Sequence, residues 1–230
     1  MTDPRIEIVQ TFFSGTAPTY DFVVKLNTFG FDTWWKRQIL KKIPEGSTCI
    51  MDQGCGTGIL TFQIGRRFPQ CRVIGVELRD EYLNIAREKA QASKLSNVEF
   101  ILGRAEDILL ENKFDCITSS YLAKYAELEV LIQNIKQMLR NGGMLIMHDF
   151  TYPRNRTFAK IWEFYFKLLQ TIGEWGYPQW REIYYGLPKL LRETKWVPEL
   201  VKILAEKGFS DIHIQYFTLG TSAIVTARKA

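Results

Sequence analysis

A chain of 230 residues, 46% hydrophobic and 24% charged, has the composition of one globular domain, which excludes disordered and fibrous classes. Its net charge of +5 is spread along the chain rather than gathered into a basic stripe, so nucleic acid is excluded as a partner. Four cysteines with no C-x-x-C spacing and two histidines exclude a zinc ribbon, a disulfide scaffold and a histidine-rich metal site. No metal is expected.

From Ser47 to His148 short apolar runs alternate with longer amphipathic ones. The strand-length runs are 47–52, 71–77, 98–102, 114–118 and 143–148, rich in Val, Ile, Met and Phe. Between them lie helical stretches at 60–67, 80–92 and 128–140, the second with Asp80 as a candidate N-cap. This alternation predicts crossover connections and a parallel sheet covered on both faces. Residues 151–195 break the pattern with Trp162, Tyr165, Trp175, Tyr177 and Trp180, and predict a helical insertion, either packed core or a lid over an apolar substrate. Residues 197–207 read as a helix stopped by Gly208. Two strands follow, 211–217 and 222–227, whose link is too short for a crossover, so they are antiparallel. The fold class is therefore α/β: a Rossmann-like, doubly wound sheet of seven strands, mostly parallel, with a C-terminal antiparallel hairpin. No apolar run reaches the ~20 residues of a membrane span, and MTDPRIEIVQ does not open as a secretory signal, so a cytoplasmic location is expected.

The chemistry concentrates at Asp52-Gln-Gly54-Cys55-Gly56-Thr57-Gly58, between a strand and a helix. Glycines there let the backbone turn tightly against a ligand, and the helix start favours an anionic group. A dinucleotide fingerprint requires a third glycine at 59, which is Ile59; G-x-G-x-G after an acid instead suits a loop wrapping an amino-acid moiety. Asp52 would meet its positive charge directly or through water. Glu77, with Leu78 beside it, ends the second strand where a carboxylate can accept both ribose hydroxyls. The turn from Gly103 through Arg104 and Ala105 offers amides to an adenine edge, and Ser120 and Tyr121 complete the carboxyl edge.

These features resemble class I S-adenosylmethionine-dependent methyltransferases over residues 45–150 and the tail. A closer resemblance, to the ubiquinone/menaquinone biosynthesis C-methyltransferases, covers most of the chain: Phe13-Ser-Gly-Thr-Ala-Pro-Thr-Tyr20-Asp21, Asn27 and Trp35-Lys36 at the start, His148-Asp149-Phe-Thr-Tyr-Pro153 after strand five, and Glu199 through the Gly208-Phe209 turn with Tyr216–Gly220 in the tail. It implies S-adenosylmethionine as cofactor, a quinol-like lipophilic or aromatic acceptor, and an N-terminal helical cap (1–44) in which Tyr20, with Phe12 and Phe13, folds over the sulfonium. Two departures stand out. Arg104 replaces the family's Asp or Asn, and could stack on adenine or point to solvent. The family's Arg-Asn pair after strand four is absent from Ser120-Tyr-Leu-Ala-Lys-Tyr125.

The candidates for a base near the acceptor are His148, Asp149 and Tyr121. Lys36, Arg37, Lys41 and Lys42 form a basic cluster, read as a solvated face or as peripheral contact with a membrane surface. The domain plan is a cap at 1–44, a cofactor core at 45–150, a lid at 151–195 and a terminal helix and hairpin at 196–230. Methyl transfer to a small molecule is the leading reaction. The alternatives are a non-methylating use of the cofactor, such as decarboxylation or cyclisation, and a cofactor-binding module without catalysis. Oligomeric state is open.

Overall fold

Three helices precede the sheet: α1 (Pro4–Phe13), α2 (Tyr20–Asn27) and α3 (Phe31–Lys42). In this computed structural model, which describes residues 3–111 and 113–230, the alternating runs then pair into one sheet. Its strands are β1 (Cys49–Gln53), β2 (Arg72–Glu77), β3 (Val98–Leu102), β4 (Phe114–Ser120), β5 (Leu139–Phe150), β6 (Phe209–Phe217) and β7 (Ser222–Lys229). The order is β3-β2-β1-β4-β5-β7-β6. The β1–β2, β2–β3, β1–β4 and β4–β5 pairs are parallel, and β7 runs antiparallel to both β5 and β6. Chain order reverses between β1 and β4, so their carboxyl ends form the crevice where open α/β sheets bind ligands.

The expected helices are α4 (Ile59–Arg67), α5 (Asp80–Ser93) and α6 (Leu128–Met138). Asp80 is the first helical residue rather than the N-cap; Arg79, still extended, holds that place. Helix α6 stops two residues short of the expected end because Leu139 turns extended, and Gly142 (φ 74°) takes a left-handed turn before β5 resumes its pairing with β4. The insertion is helical as expected: α7 (Arg156–Leu168), a π turn, the single turn α8 (Glu174–Gly176), a 3-10 turn and α9 (Arg181–Glu193). Helix α10 (Trp196–Glu206) then ends at Gly208 (φ 72°).

Strand periodicity sends alternate side chains to opposite faces. Met51, Ile117, Leu145 and Met147 pack with α6 and α10 on one face; Ile50, Cys116, Ile146 and Ile224 pack with α3 and α4 on the other. Fully burying each such aliphatic side chain stabilises by about 1.5–3 kcal/mol. A third cluster, containing Phe12, Val23, Tyr125, Trp180, Tyr184 and Leu187, sits apart from these two and joins α1, α2 and α9. Gly186 permits it: a Cβ there would lie 2.3 Å from the Phe12 ring, so only glycine lets α1 seat on α9.

The basic cluster is not one solvated face. Lys36 is buried and ion-paired with Asp32 one turn earlier, while Arg37 and Lys41 are exposed.

Candidate active site

The glycine loop follows β1 in left-handed backbone at Gly54 (φ 68°), Gly56 (φ 58°) and Gly58 (φ 84°), a conformation that side chains disfavour. Across from it, Glu77 is held rigidly. Its two carboxylate oxygens accept from the amides of Gly56 and Arg79, each at 2.9 Å, leaving lone pairs on both. Burial pushes its pKa up, against the pull of those amides. Gly54, Gly56, Glu77, Leu78, Arg104, Ala105, Ser120, Tyr121 and Tyr20 line one narrow cleft at this edge. Nine of the fourteen residues picked out by sequence thus converge.

Five do not reach it. Asp52 turns away beneath the loop, where its carboxylate accepts from Thr61 at 2.6 Å and Thr118 at 2.9 Å. Burial lifts its pKa to about 6. Cys55 is buried, and its thiol is pushed up by desolvation. Thr57 donates to Asp21 at 2.5 Å, tying the loop to α2. His148 is wholly buried behind Trp35 and Tyr121, with its ring nitrogens on Ser120 Oγ (3.0 Å) and Ser222 Oγ (2.7 Å). Burial and the nearby Lys36 and Lys124 pull its pKa well down, both ring nitrogens are partnered, and the ring lines neither cavity, so it is not placed to meet an acceptor directly. Asp149 is the counter-ion of buried Lys124 at 2.7 Å and also accepts its backbone amide; it too lines no cavity.

Arg104 neither stacks in the cleft nor points to solvent. Its guanidinium pairs with Asp3 (2.6 Å) and Glu106 (3.2 Å), pinning the start of α1 over the cleft that Arg5, Ile6, Val9 and Phe13 help to wall. Tyr20 opens α2 and stacks on Trp180 at 5.8 Å, whereas Phe12 and Phe13 belong to α1, so these aromatics come from two helices of the cap rather than one.

A second cavity, of about 490 Å³, opens beside the first. Its wall is almost wholly apolar and aromatic, from Phe29, Phe31 and Trp35 through Phe150, Trp162, Tyr165 and Phe166 to Trp180 and Tyr184. The insertion is fastened to the cap there: Tyr165 Oη donates to Asn27 O at 2.6 Å, and Trp180 Nε1 to Thr19 Oγ1 at 2.9 Å. Phe13, Tyr20, Tyr121 and Tyr125 line both cavities and form the shared wall.

Tyr121 is the residue the chain strains to place. It holds a left-handed backbone (φ 71°), which costs about 1–3 kcal/mol for a bulky residue and persists where surrounding contacts fix it. Its ring stacks on Phe150 at 4.6 Å, and its hydroxyl donates to Asp32 Oδ1 at 2.7 Å. Lys36 partners that carboxylate and lies over the Tyr121 ring at 4.7 Å. Sequence reasoning missed Asp32 and Lys124, and took Lys36 for part of a surface cluster rather than the partner of Asp32. For Asp32 and Lys36 the signal was an acid and a base one helical turn apart among Phe31, Trp34 and Trp35; for Lys124 there was none.

Comparison with known proteins decides the family. The model described as the ubiE/COQ5 methyltransferase family matches residues 1–229. The chain belongs to that family. It is an S-adenosylmethionine-dependent methyltransferase. A Geotalea daltonii protein named ubiquinone/menaquinone biosynthesis C-methyltransferase UbiE is 28% identical, with 97% of each chain aligned. A Listeria monocytogenes demethylmenaquinone methyltransferase is 25% identical over 97% of this chain and 96% of its own. Among solved structures, the N-methyltransferase NodS from Bradyrhizobium japonicum, in complex with S-adenosylhomocysteine, shares the fold (TM-score 0.64, 14% identity, 98% of both chains).

The residues of this methyltransferase fit the cofactor. The glycine loop lacks side chains where it meets the cleft, and Glu77 offers free lone pairs from a fixed carboxylate. Beneath them, register partners Gln53 and Ser119 are buried with no hydrogen-bond partner for the amide or the hydroxyl among the described residues. Buried polar groups of this kind mark capacity for a polar guest.

Proposed function

We propose that the acceptor is a hydroquinone with a lipophilic tail and that its ring carbon is methylated. What carries this reading is one observation: an aromatic cavity of about 490 Å³ meets the cofactor cleft at a wall shared by Tyr20 and Tyr121. A flat ring and an apolar tail suit such walls, and the relatives named for quinone biosynthesis point the same way.

S-adenosylmethionine supplies, when bound, an electrophilic methyl on a sulfonium. The glycine loop at Gly54 and Gly56 would hold its amino-acid end, Glu77 its ribose, and the 103–106 turn its adenine. Tyr20 lies at the shared wall, where its ring would attract a sulfonium by cation–π interaction. Cap and insertion hold the acceptor in line and keep water out; alignment of this kind lowers barriers by about 7–11 kcal/mol in favourable cases. Within residues 151–195, the cavity-lining side chains, Trp162, Tyr165 and Trp180 among them, act as wall and lid.

Tyr121 moves the proton. Burial and the Asp32 carboxylate push its pKa far up, so it works as a carrier rather than a standing base. The acceptor hydroxyl passes its proton to Tyr121 Oη as Tyr121 passes its own to Asp32 Oδ1, and the ring becomes electron-rich. After methylation the displaced ring proton restores the hydroxyl, and the proton held on Asp32 is the net proton the reaction yields.

The test is turnover with methyl-labelled cofactor and chemically reduced demethylmenaquinone. Label on a ring carbon is expected. Label on oxygen, or no transfer to any prenylated hydroquinone, would overturn the acceptor.

A further inference from the structure

We propose that the mouth of the acceptor cavity is a membrane-docking face that seats on a bilayer carrying anionic lipid. Its purpose rests on the lipophilic-acceptor reading above, but its evidence is the surface itself.

Phe29, Ile161 and Leu219 line the cavity yet are largely exposed, Phe29 at 75%. Apolar exposure continues outward on two neighbouring elements: Phe22 and Leu26 on α2, then Phe164, Leu168, Ile172 and Trp175 along α7 to α8, with Phe164 at 69% and Trp175 at 89%. Contacts set these elements side by side. The Phe29 ring meets Tyr165 at 5.3 Å, Tyr165 bonds Asn27, and Phe22 meets Tyr177 at 6.1 Å. Helix α2 therefore runs antiparallel to residues 165–177, and the exposed side chains merge into one patch around the cavity mouth. A patch of this extent marks an interaction surface.

Charge selects the partner. The acids on these elements are spent in ion pairs: Asp21 with Lys89 (2.5 Å), Glu163 with Arg192 (2.9 Å) and Glu174 with Arg181 (2.8 Å). Lys25, Lys160 and Lys167 stand exposed on the same helices, without an ion pair among the described residues. Apolar side chains ringed by free lysines match an anionic interface, where the rings enter the acyl boundary and each lysine meets a phosphate. A second copy fits poorly, because a two-fold contact sets this patch against itself and lysine against lysine. The cluster at residues 36–42 is not this surface, since Lys36 is buried with Asp32. No helix among the described residues is long and apolar enough to cross a membrane, so the contact is peripheral. An acceptor dissolved in the bilayer would then pass Phe29 and Ile161 into the cavity without crossing water.

Co-sedimentation of the full chain with vesicles tests this, using phosphatidylcholine alone and phosphatidylcholine mixed with phosphatidylglycerol. Wild type should partition onto the mixed vesicles and far less onto the neutral ones. K25Q/K160Q/K167Q should lose about a hundredfold on the mixed vesicles, at roughly a factor of five per lysine. F164S/W175S should lose about tenfold or more on both compositions. None of these five residues lines either cavity, so both variants should methylate a tail-less, water-soluble hydroquinone as wild type does. Absence of wild-type partitioning, variants that partition like wild type, or a solution dimer that F164S/W175S dissolves would each overturn the docking face. Vesicle binding without methylation of any hydroquinone would sink the acceptor reading and leave the docking face standing; methylation without vesicle binding would do the reverse.

Discussion

The cofactor cleft and the acceptor cavity lie on either side of Tyr121, and they are built in opposite ways. The floor of the cleft is set by backbone: two glycines in left-handed conformation, a carboxylate locked by two amides, and a short turn after β3. The cavity is made of side chains drawn from α2, α3, β5, α7 and α9, with hardly a polar group among them. A ligand held by backbone amides leaves a fixed spacing in the chain. A ligand held by aromatic walls leaves only composition, which many packings satisfy. The two regions should therefore fail differently when altered: cleft changes should weaken cofactor binding, and cavity changes should weaken turnover or acceptor recognition.

The largest effect is expected at the wall between them. Tyr121→Phe and Asp32→Asn should each lower kcat by about 10²–10⁴-fold, the range for loss of a positioned proton acceptor. Cofactor affinity by calorimetry should stay near wild type. Equal losses in kcat and in cofactor affinity would show that Tyr121 merely supports the cleft. Next comes Glu77→Ala. It should weaken cofactor binding by about a hundredfold, since hydrogen bonds to a charged group are worth about 1.5–3 kcal/mol each. Acceptor KM should change little, and unchanged cofactor affinity would remove Glu77 from the site.

Asp52 sharpens the boundary from below. Its pKa is lifted from the ordinary 3.8 to about 6 by burial, so the folded state binds its proton more tightly than the unfolded chain does. Stability from this group is present at low pH and is lost as pH rises from 3.8 to 6. Asp52→Asn should therefore gain on wild type by about 3 kcal/mol between pH 3.5 and 7 in denaturant titrations. A constant difference across that range would mean Asp52 is charged in place, as a residue facing the cofactor would be. The smallest effect is in protection. Amide hydrogen exchange in residues 156–193 should slow when cofactor and acceptor are both added, while β1 and β4 change little. Equal protection with and without ligands would make the insertion a fixed wall.

What the sequence revealed follows the same division. The seven strands and the antiparallel tail were legible because hydrophobic period and link length dictate them. Glu77 and the glycine loop were legible because spacing dictates them too. Residue type and a strand-end position suggest His148 and Asp149 as bases, whereas only packing shows that Ser120, Ser222 and Lys124 already partner them. Arg104 could not be placed from sequence, because its partner Asp3 lies at the far end of the chain segment and meets it only when α1 folds over the cleft. Asp32 acquires its role from Tyr121, across 89 residues of chain.

One crystal structure bears most directly on the account: the chain with S-adenosylhomocysteine and a prenylated naphthohydroquinone. The ring hydroxyl should lie within hydrogen-bond reach of Tyr121 Oη, the cofactor's ribose on Glu77, and the prenyl tail past Trp162 and Tyr165 toward Phe29. A ring bound away from Tyr121, with the aromatic cavity collapsed or filled by protein side chains, would contradict it.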